Sequence, residues 1–290
     1  MKSQYLYHIL AIISVCVWGL TFISTKILLA AGLSAEIIFF YRFLMAYVCM
    51  IAIDHKRLFA DNRKDEFLLL LCGITGGSLY FVTENTALAL TFASNVSLII
   101  CTAPLFTIML ARLTAVNRQP LPTKMITGAF IALSGVGAIV FTPGEEVRFN
   151  PAGDLLSLSA AILWAVYCIL LRGLGKRYSA FFLTRKVFFY GLLTISIYLI
   201  FKQEPLLDPA LRLLVVAGNL IFLGIGASLL CYLMWNATVK RLGAQKASNY
   251  LYLNPLVTVI AAAIILSEPI TATTIAGSVL IIGGVFLAEK

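Results

Sequence analysis

Apolar residues in this chain come in runs of roughly twenty, separated by short polar stretches. The runs fall near residues 5–31, 35–53, 67–90, 93–116, 123–142, 153–174, 179–201, 211–238, 244–266 and 270–288. A helix needs about 20 apolar residues to cross the hydrocarbon core of a bilayer, so the pattern predicts ten spanning helices. The loops between them are mostly short, which makes neighbouring helices antiparallel. No loop is long enough for a soluble domain.

The polar residues set the orientation. With the first residue inside, thirteen cations fall on one side of the predicted membrane (Lys2, Lys56, Arg57, Arg63, Lys64, Arg118, Lys124, Lys176, Arg177, Lys240, Arg241, Lys246 and Lys290). Only Arg148, Lys202 and Arg212 fall on the other. This bias puts both termini in the cytoplasm of a multi-pass protein of the inner, cytoplasmic membrane. The opening Lys2 and apolar run resemble a secretion signal, but the stretch from Tyr5 to Ala31 is too long for one and reads as the first span.

Composition agrees: 61% of the 290 residues are hydrophobic and 12% charged, more apolar surface than a soluble domain uses. The net charge of +9 reflects basic loops facing anionic lipid rather than a nucleic-acid partner. Six cysteines lie in apolar runs without metal-type spacing, and His8 and His55 cannot form a metal site by themselves. No metal or other cofactor is expected.

The chain also repeats itself. Trp18 and Trp164 recur 146 residues apart, and at that offset Lys26 meets Arg172. At an offset of 151, residues 81–107 match residues 232–258 without a gap, with Asn85/Asn236, Ala93/Ala244, Ser97/Ser248, Pro104/Pro255, Leu105/Leu256 and Thr107/Thr258 identical. Pro120, Gly128 and Gly135 then meet Pro269, Gly277 and Gly284. Leu and Ile match by chance in apolar chains; Asn, Pro, Trp and a cation in one order do not. The reading is an all-α membrane protein of two five-helix repeats, residues 1–145 and 146–290. An odd number of helices per repeat inverts the second copy, as in secondary transporters that hold substrate between halves.

These residues carry a family resemblance. Trp18-Gly19, Phe22, Lys26 and Arg42 resemble the start of an EamA domain of the drug/metabolite transporter superfamily. The run from Ala244 through Asn254-Pro255-Leu256-Val257, Glu268-Pro269, Gly277 and Gly283-Gly284 resembles its end, as does Ala93 through Pro104-Leu105-Phe106 and Gly128 in the first copy. The acidic residue before the last helix is Glu268 in copy two but Gln119 in copy one. The resemblance implies a ten-helix transporter of small metabolites, often an exporter, with the fifth and tenth helices at the periphery as a brace or a homodimer face. Glu268 reads as a cap of the tenth helix.

Ionisable side chains inside a span are costly. Lys26, Arg42 and Glu84 fall in the outer half of the membrane, and a carboxylate with two cations at one depth predicts a network. Two roles are open for it: a structural Glu84–Arg42 pair, or a gate switched by protonation of Glu84. Arg172 falls at the inner end near Arg185 and Lys186, which are expected to snorkel to the interface. Polar and aromatic residues supply a cavity lining: Tyr80 and Glu84 one turn apart, Tyr250 and Asn254 likewise, Asn95 and Thr102 seven apart, and Trp18, Trp164 and Tyr167 near mid-span. Pro104 and Pro255 each remove a backbone donor and predict helix breaks beside that cavity.

The leading function is a secondary transporter exporting a small metabolite such as an amino acid by alternating access. A channel or scaffold and an intramembrane enzyme are the alternatives. No HExxH, GxSxG or GxxxxGK[ST] run is present, so the chain is not expected to be an enzyme or to use ATP directly.

Overall fold

A computed structural model describes residues 2–114, 122–140, 150–242 and 249–289. Gln119, Pro120, Ala244, Ser248 and the loop cations Arg118, Arg148 and Lys246 lie outside the described residues. Those described form helices and no strand.

The helices are α1 (Lys2–Ala30), α2 (Ala35–Ile53), α3 (Arg63–Leu90), α4 (Ala93–Leu113), α5 (Thr123–Val140), α6 (Pro151–Leu174), α7 (Ala180–Lys202), α8 (Leu214–Thr238), α9 (Leu253–Ile265) and α10 (Ala272–Glu289). Seven are long and apolar enough to cross a membrane, and α5, α9 and α10 are shorter apolar helices. Their starts are capped by short polar side chains. Ser34 accepts from Ile37 N, Asn62 from Asp65 N, Asn150 from Gly153 N and Ser179 from Phe182 N, each taking one of the amide donors a helix leaves free. Thr271 performs this service for α10, accepting from Thr274 N at 3.1 Å; Glu268 does not.

Four helices are interrupted. α4 breaks at Cys101 and Thr102, with Pro104 in the first turn of the segment that follows. α9 begins with a 3-10 turn, Asn249–Tyr252, and Pro255 sits just inside the α-helical part. The missing proline amide costs least there. α3 widens into a π turn at Ile74–Ser78 and α8 at Phe222–Leu230. Such bulges are frequent at functional positions.

Packing joins the N-terminal and C-terminal halves of the chain throughout. α1 lies on α8 and α9, while α6 lies on α3 and α4. α2 packs on α7 and on the π segment of α8; α7 packs in turn on the π turn of α3. α5 and α10 lie against each other at one edge. Glycine lets backbones meet where α1 crosses α9: a Cβ on Gly19 would stand 2.8 Å from Val257 Cβ and 3.0 Å from Asn254 O. There Thr258 Oγ1 donates to the Gly19 carbonyl at 3.0 Å. Side chains facing outward are apolar, as lipid contact requires: Phe201, Leu214, Ile264 and Phe130 are all largely exposed.

Candidate functional site

Among the described residues the bundle has polar regions in the middle and at both ends. The middle is built on aromatic rings. Trp18 of α1 meets Tyr232 of α8 (ring centroids 5.7 Å apart), which meets Phe188 of α7 (5.6 Å), which meets Phe43 of α2 (4.2 Å). Phe43 meets Phe81 of α3 at 5.2 Å, Tyr80 follows at 4.8 Å, and Tyr80 touches Trp164 of α6 at 5.2 Å. Tyr167 ends the series 5.1 Å from Trp164. Its ring lies flat on the π turn, where a Cβ on Gly76 would overlap it. Trp235 adds a ring 5.2 Å from Trp18, whose indole N–H donates to the Ala227 carbonyl of the other π segment at 3.1 Å.

Arg42 and Glu84 are the charges in this wall, 5% and 4% exposed. Arg42 Nε donates to Ser228 Oγ at 2.7 Å and its guanidinium lies 4.5 Å over the Phe81 ring. Glu84 interacts with Tyr80 and feels the Arg42 charge, yet the two make no ion-pair contact, and Glu84 Oε2 is buried without a hydrogen bond. The predicted Glu84–Arg42 pair is therefore a separated one. Asn254 Oδ1 is also buried and unbonded.

The second region is at the end bearing the α3–α4 and α9–α10 turns. Glu268 follows Ser267, whose φ of 55° lies in the left-handed region that non-glycine residues rarely adopt. The turn aims the carboxylate at the start of α4. Glu268 Oε1 accepts from Ala93 N at 2.8 Å; Oε2 accepts from Ser94 N at 3.1 Å and Ser94 Oγ at 2.6 Å. Lys26 is 3.4 Å from Oε1 and donates to the Thr91 carbonyl. Thr91 Oγ1 in turn donates to Asp154 at 3.3 Å. Two carboxylates from the second half of the chain thus hold the α3–α4 corner of the first.

The third region, at the opposite end, pins the α2–α3 loop to α7. Lys186 and Tyr190 both bond Glu66, which also accepts from Ala60 N at 2.7 Å. Arg185 donates to the carbonyls of Asp54 and Arg57. Tyr178, between α6 and α7, donates to Asp65 at 2.7 Å and accepts from Asp61 N at 3.0 Å, and Arg177 reaches Asp65 at 2.7 Å. Burial and the neighbouring carboxylates raise the Tyr178 phenol above its ordinary pKa.

Of the residues singled out in the sequence, the middle therefore gathers Trp18, Arg42, Tyr80, Glu84, Trp164 and Tyr167. Lys26, expected at the depth of Glu84, instead lies at the end of the bundle, pairing with Glu268 and donating to the Thr91 carbonyl. Asn95 is not in this wall: it lines a small pocket with Phe92, Ser94, Ile139, Pro269, Thr271 and Thr274. The break at Cys101 and Thr102 interrupts the periodicity that would have put Asn95 and Thr102 on one face. Tyr250 contacts His8 Nδ1 at the N-terminal end of α1, and Arg172 is exposed at the end of α6. Arg185 and Lys186 do not snorkel; they are 2% and 3% exposed. The sequence reading also passed over Tyr232, Trp235 and Ser228. Trp235 was findable, since it stands 151 residues from Glu84. Among the described residues no cluster could hold a metal.

Comparison with known proteins places this geometry. The profile of the EamA-like transporter family matches twice, over residues 5–141 and 151–289. An uncharacterized transporter of Archaeoglobus fulgidus is 29% identical over 96% of each chain. A protein of Streptantibioticus cattleyicolor named as a probable terminal-alkyne amino-acid exporter is 27% identical over 96% of this chain and 92% of its own. A Salmonella typhimurium protein named as a probable amino-acid metabolite efflux pump is 26% identical over 96% of this chain and 93% of its own. A crystal structure superposes with a TM-score of 0.64 at 17% identity, over 97% of this chain and 96% of that one, which speaks to the fold alone. The chain belongs to the EamA-like transporter family and is a multi-pass membrane transporter.

Proposed function

We propose that this EamA-like transporter exports a zwitterionic small metabolite of the amino-acid class, by alternating access between two inverted five-helix halves, residues 1–145 and 146–290. The observation that carries the reading is the ring series. In sequence, Trp18 stands to Trp164 as Phe43 stands to Phe188 and Phe81 to Tyr232, at offsets of 146, 145 and 151. The series Trp18–Tyr232–Phe188–Phe43–Phe81–Trp164, joined at its last step by Tyr80, therefore reads alike from either end, as an inverted pair of halves would produce. The reciprocal packing of α2 and α7, and π segments in both α3 and α8, support the same arrangement.

The charges break this symmetry. Glu84 stands opposite Trp235 and Arg42 opposite Val187 at those offsets, so the wall has one polar side and one apolar side. A substrate carboxylate would take the terminal guanidinium nitrogens of Arg42, and an ammonium would take Glu84 Oε2. The side chain would lie toward Trp18 and Trp235. Asn254 Oδ1 is a further acceptor open to a donor. Export is supported by the names of the Streptantibioticus and Salmonella relatives. The end carrying the α2–α3 loop would be cytoplasmic, and the Glu268–Lys26 contacts would close the outer end.

Counterflow in proteoliposomes tests this. Preloaded protein is expected to take up one labelled group from an amino-acid panel saturably, with uptake reduced at least tenfold in folded Glu84→Gln and Asn254→Ala variants. Absence of exchange across the panel by folded protein overturns the cargo class; normal transport and pH dependence in Glu84→Gln overturns the role of Glu84.

A further inference from the structure

Arg185 and Lys186 head α7 as neighbours and, with Tyr47, Leu58, Phe59 and Phe189, line a cavity of about 120 Å³ between α2, α7 and the α2–α3 loop. The two cations are not equally matched. Lys186 has the Glu66 carboxylate and also donates to the Leu58 carbonyl at 3.2 Å. Arg185 donates to two main-chain carbonyls, and its nearest carboxylate oxygen, Asp54 Oδ2, is 4.0 Å away on a side chain 44% exposed. A guanidinium carries five N–H donors. Carbonyl dipoles satisfy some of them but supply no counter-charge, and a buried charge without one is costly.

The other charged groups around the cavity do not fill the deficit. Asp61 is taken by Arg57, whose guanidinium lies over the Tyr178 and Phe182 rings, and Asp65 is taken by Tyr178 and Arg177. Lys56, Arg63, Lys64 and Lys176 are exposed on the same end and raise its positive potential. One anion is wanting beside Arg185. The cavity is also walled by apolar surface: Tyr47 and Phe189 lie 5.8 Å apart, Phe59 covers Lys186 at 5.2 Å, and Phe59 and Leu58 are 70% and 49% exposed.

We propose that this cavity binds an anionic phosphoryl group, with Arg185 as its main ligand. A phospholipid head group and a free phosphate ester share that chemistry. The exposed aromatic and aliphatic wall favours the lipid, because an acyl chain would lie against it; basic pockets between membrane helices hold acidic lipids in this way. The site is separate from the aromatic wall that the transport reading uses, and does not rest on that reading.

The test is native mass spectrometry of the full chain, delipidated in neutral detergent and titrated with phosphatidylglycerol, phosphatidylcholine or sn-glycerol phosphate. One phosphatidylglycerol per chain is expected, at least tenfold more occupied than phosphatidylcholine at equal concentration. Arg185→Gln is expected to abolish that preference. Should this variant fail to fold, Leu58→Glu places a carboxylate at the rim of the cavity from an exposed position and is expected to reduce the preference tenfold in intact protein. Equal occupancy by the two lipids, or an undiminished preference in a folded variant, overturns the site. Equal binding of sn-glycerol phosphate overturns the lipid as its bearer.

Discussion

The two ends of the bundle are fastened differently. At the α2–α3 end two side-chain groups, Glu66 with Lys186 and Tyr190 and Asp65 with Tyr178 and Arg177, act beside Arg185, which holds the loop by its main-chain carbonyls. Arg185, Lys186 and Asp65 are buried. At the other end Glu268 supports the start of a broken helix mainly through main-chain donors, with Asp154 on Thr91 and a separate Lys202 pairing with Glu36 and Glu204. Lys26 beside Glu268 is 26% exposed. A network shares its load among many members, and none can leave cheaply. A single carboxylate on amide groups can leave at once and be replaced by water. The first construction suits a pivot and the second suits a gate, the assignment that the proposed alternating access would use.

The contrast is sharpest for substitutions that strand a buried charge. Lys186→Met leaves Glu66 with Tyr190 and the Ala60 amide but no counter-charge, and loss of one partner of a buried pair costs about 3–5 kcal/mol. The thermal midpoint in detergent is expected to fall steeply, with most of the loss recovered in a Lys186→Met/Glu66→Gln double variant. A double variant no better than the single would mean the network is not carried by that pair. Next in size is Gly19→Ala, which forces a Cβ against Val257 and the Asn254 carbonyl; overpacking of this kind costs about 1–3 kcal/mol. It is expected to reduce transport while expression persists, and unchanged transport would show that α1 and α9 are free to separate.

Glu268→Gln tests the gate itself. The amide still accepts from Ala93 or Ser94 but loses the charge that Lys26 meets, a change of about 1 kcal/mol for a partly exposed pair. Labelling of an Asn95→Cys variant by a membrane-impermeant maleimide is expected to quicken about fivefold when Glu268→Gln is added, with the thermal midpoint hardly moved. If the midpoint falls as far as it does in Lys186→Met, the two ends are fastened alike and the comparison fails. The smallest effect is at alkaline pH. Tyr178 titrates higher folded than its ordinary 10.0, so the folded state holds a proton that the unfolded state releases. Stability is fully present below pH 10 and declines as pH rises through the folded value; Tyr178→Phe is expected to flatten that decline in a pH series of unfolding midpoints.

Much of this architecture was legible because a bilayer imposes length. Among the described residues the apolar runs lie in helices, seven of them long and apolar enough to cross a membrane and three shorter, and Pro104 and Pro255 fell where helices break. Depth was only partly legible: counting residues put Lys26 level with Glu84, whereas Lys26 meets Thr91 and Glu268 at one end of the bundle and Glu84 lies in the middle beside Tyr80. Rotation about the helix axis was not legible either. Lys26 turns toward Glu268 and the Thr91 carbonyl rather than toward Glu84, a difference set by which helices are neighbours. The π segments explain another shortfall. Gly73, Gly76, Gly77, Gly224 and Gly226 announced close approach, but not the shift in register that a widened turn introduces. In the centre, pairs one turn apart on one unbroken stretch, Tyr80 with Glu84 and Trp164 with Tyr167, came together as spacing predicts. Asn95 and Thr102, on a broken helix, did not. Arg185 and Lys186 were misread because snorkelling assumes water at the span's end, and the α2–α3 loop occupies that place.

The described residues of α5 and α10 number 18 in each, about 27 Å of helix at 1.5 Å per residue, against a hydrocarbon core of about 30 Å. They lie along one edge, held face to face by Gly135 against Gly277 and Gly128 against Gly284, so they cannot tilt independently to meet the membrane. α1 and α3, with 29 and 28 described residues, are longer and would suit a thicker bilayer than that edge. The thickness of a bilayer would therefore act unequally on the two sides of the protein.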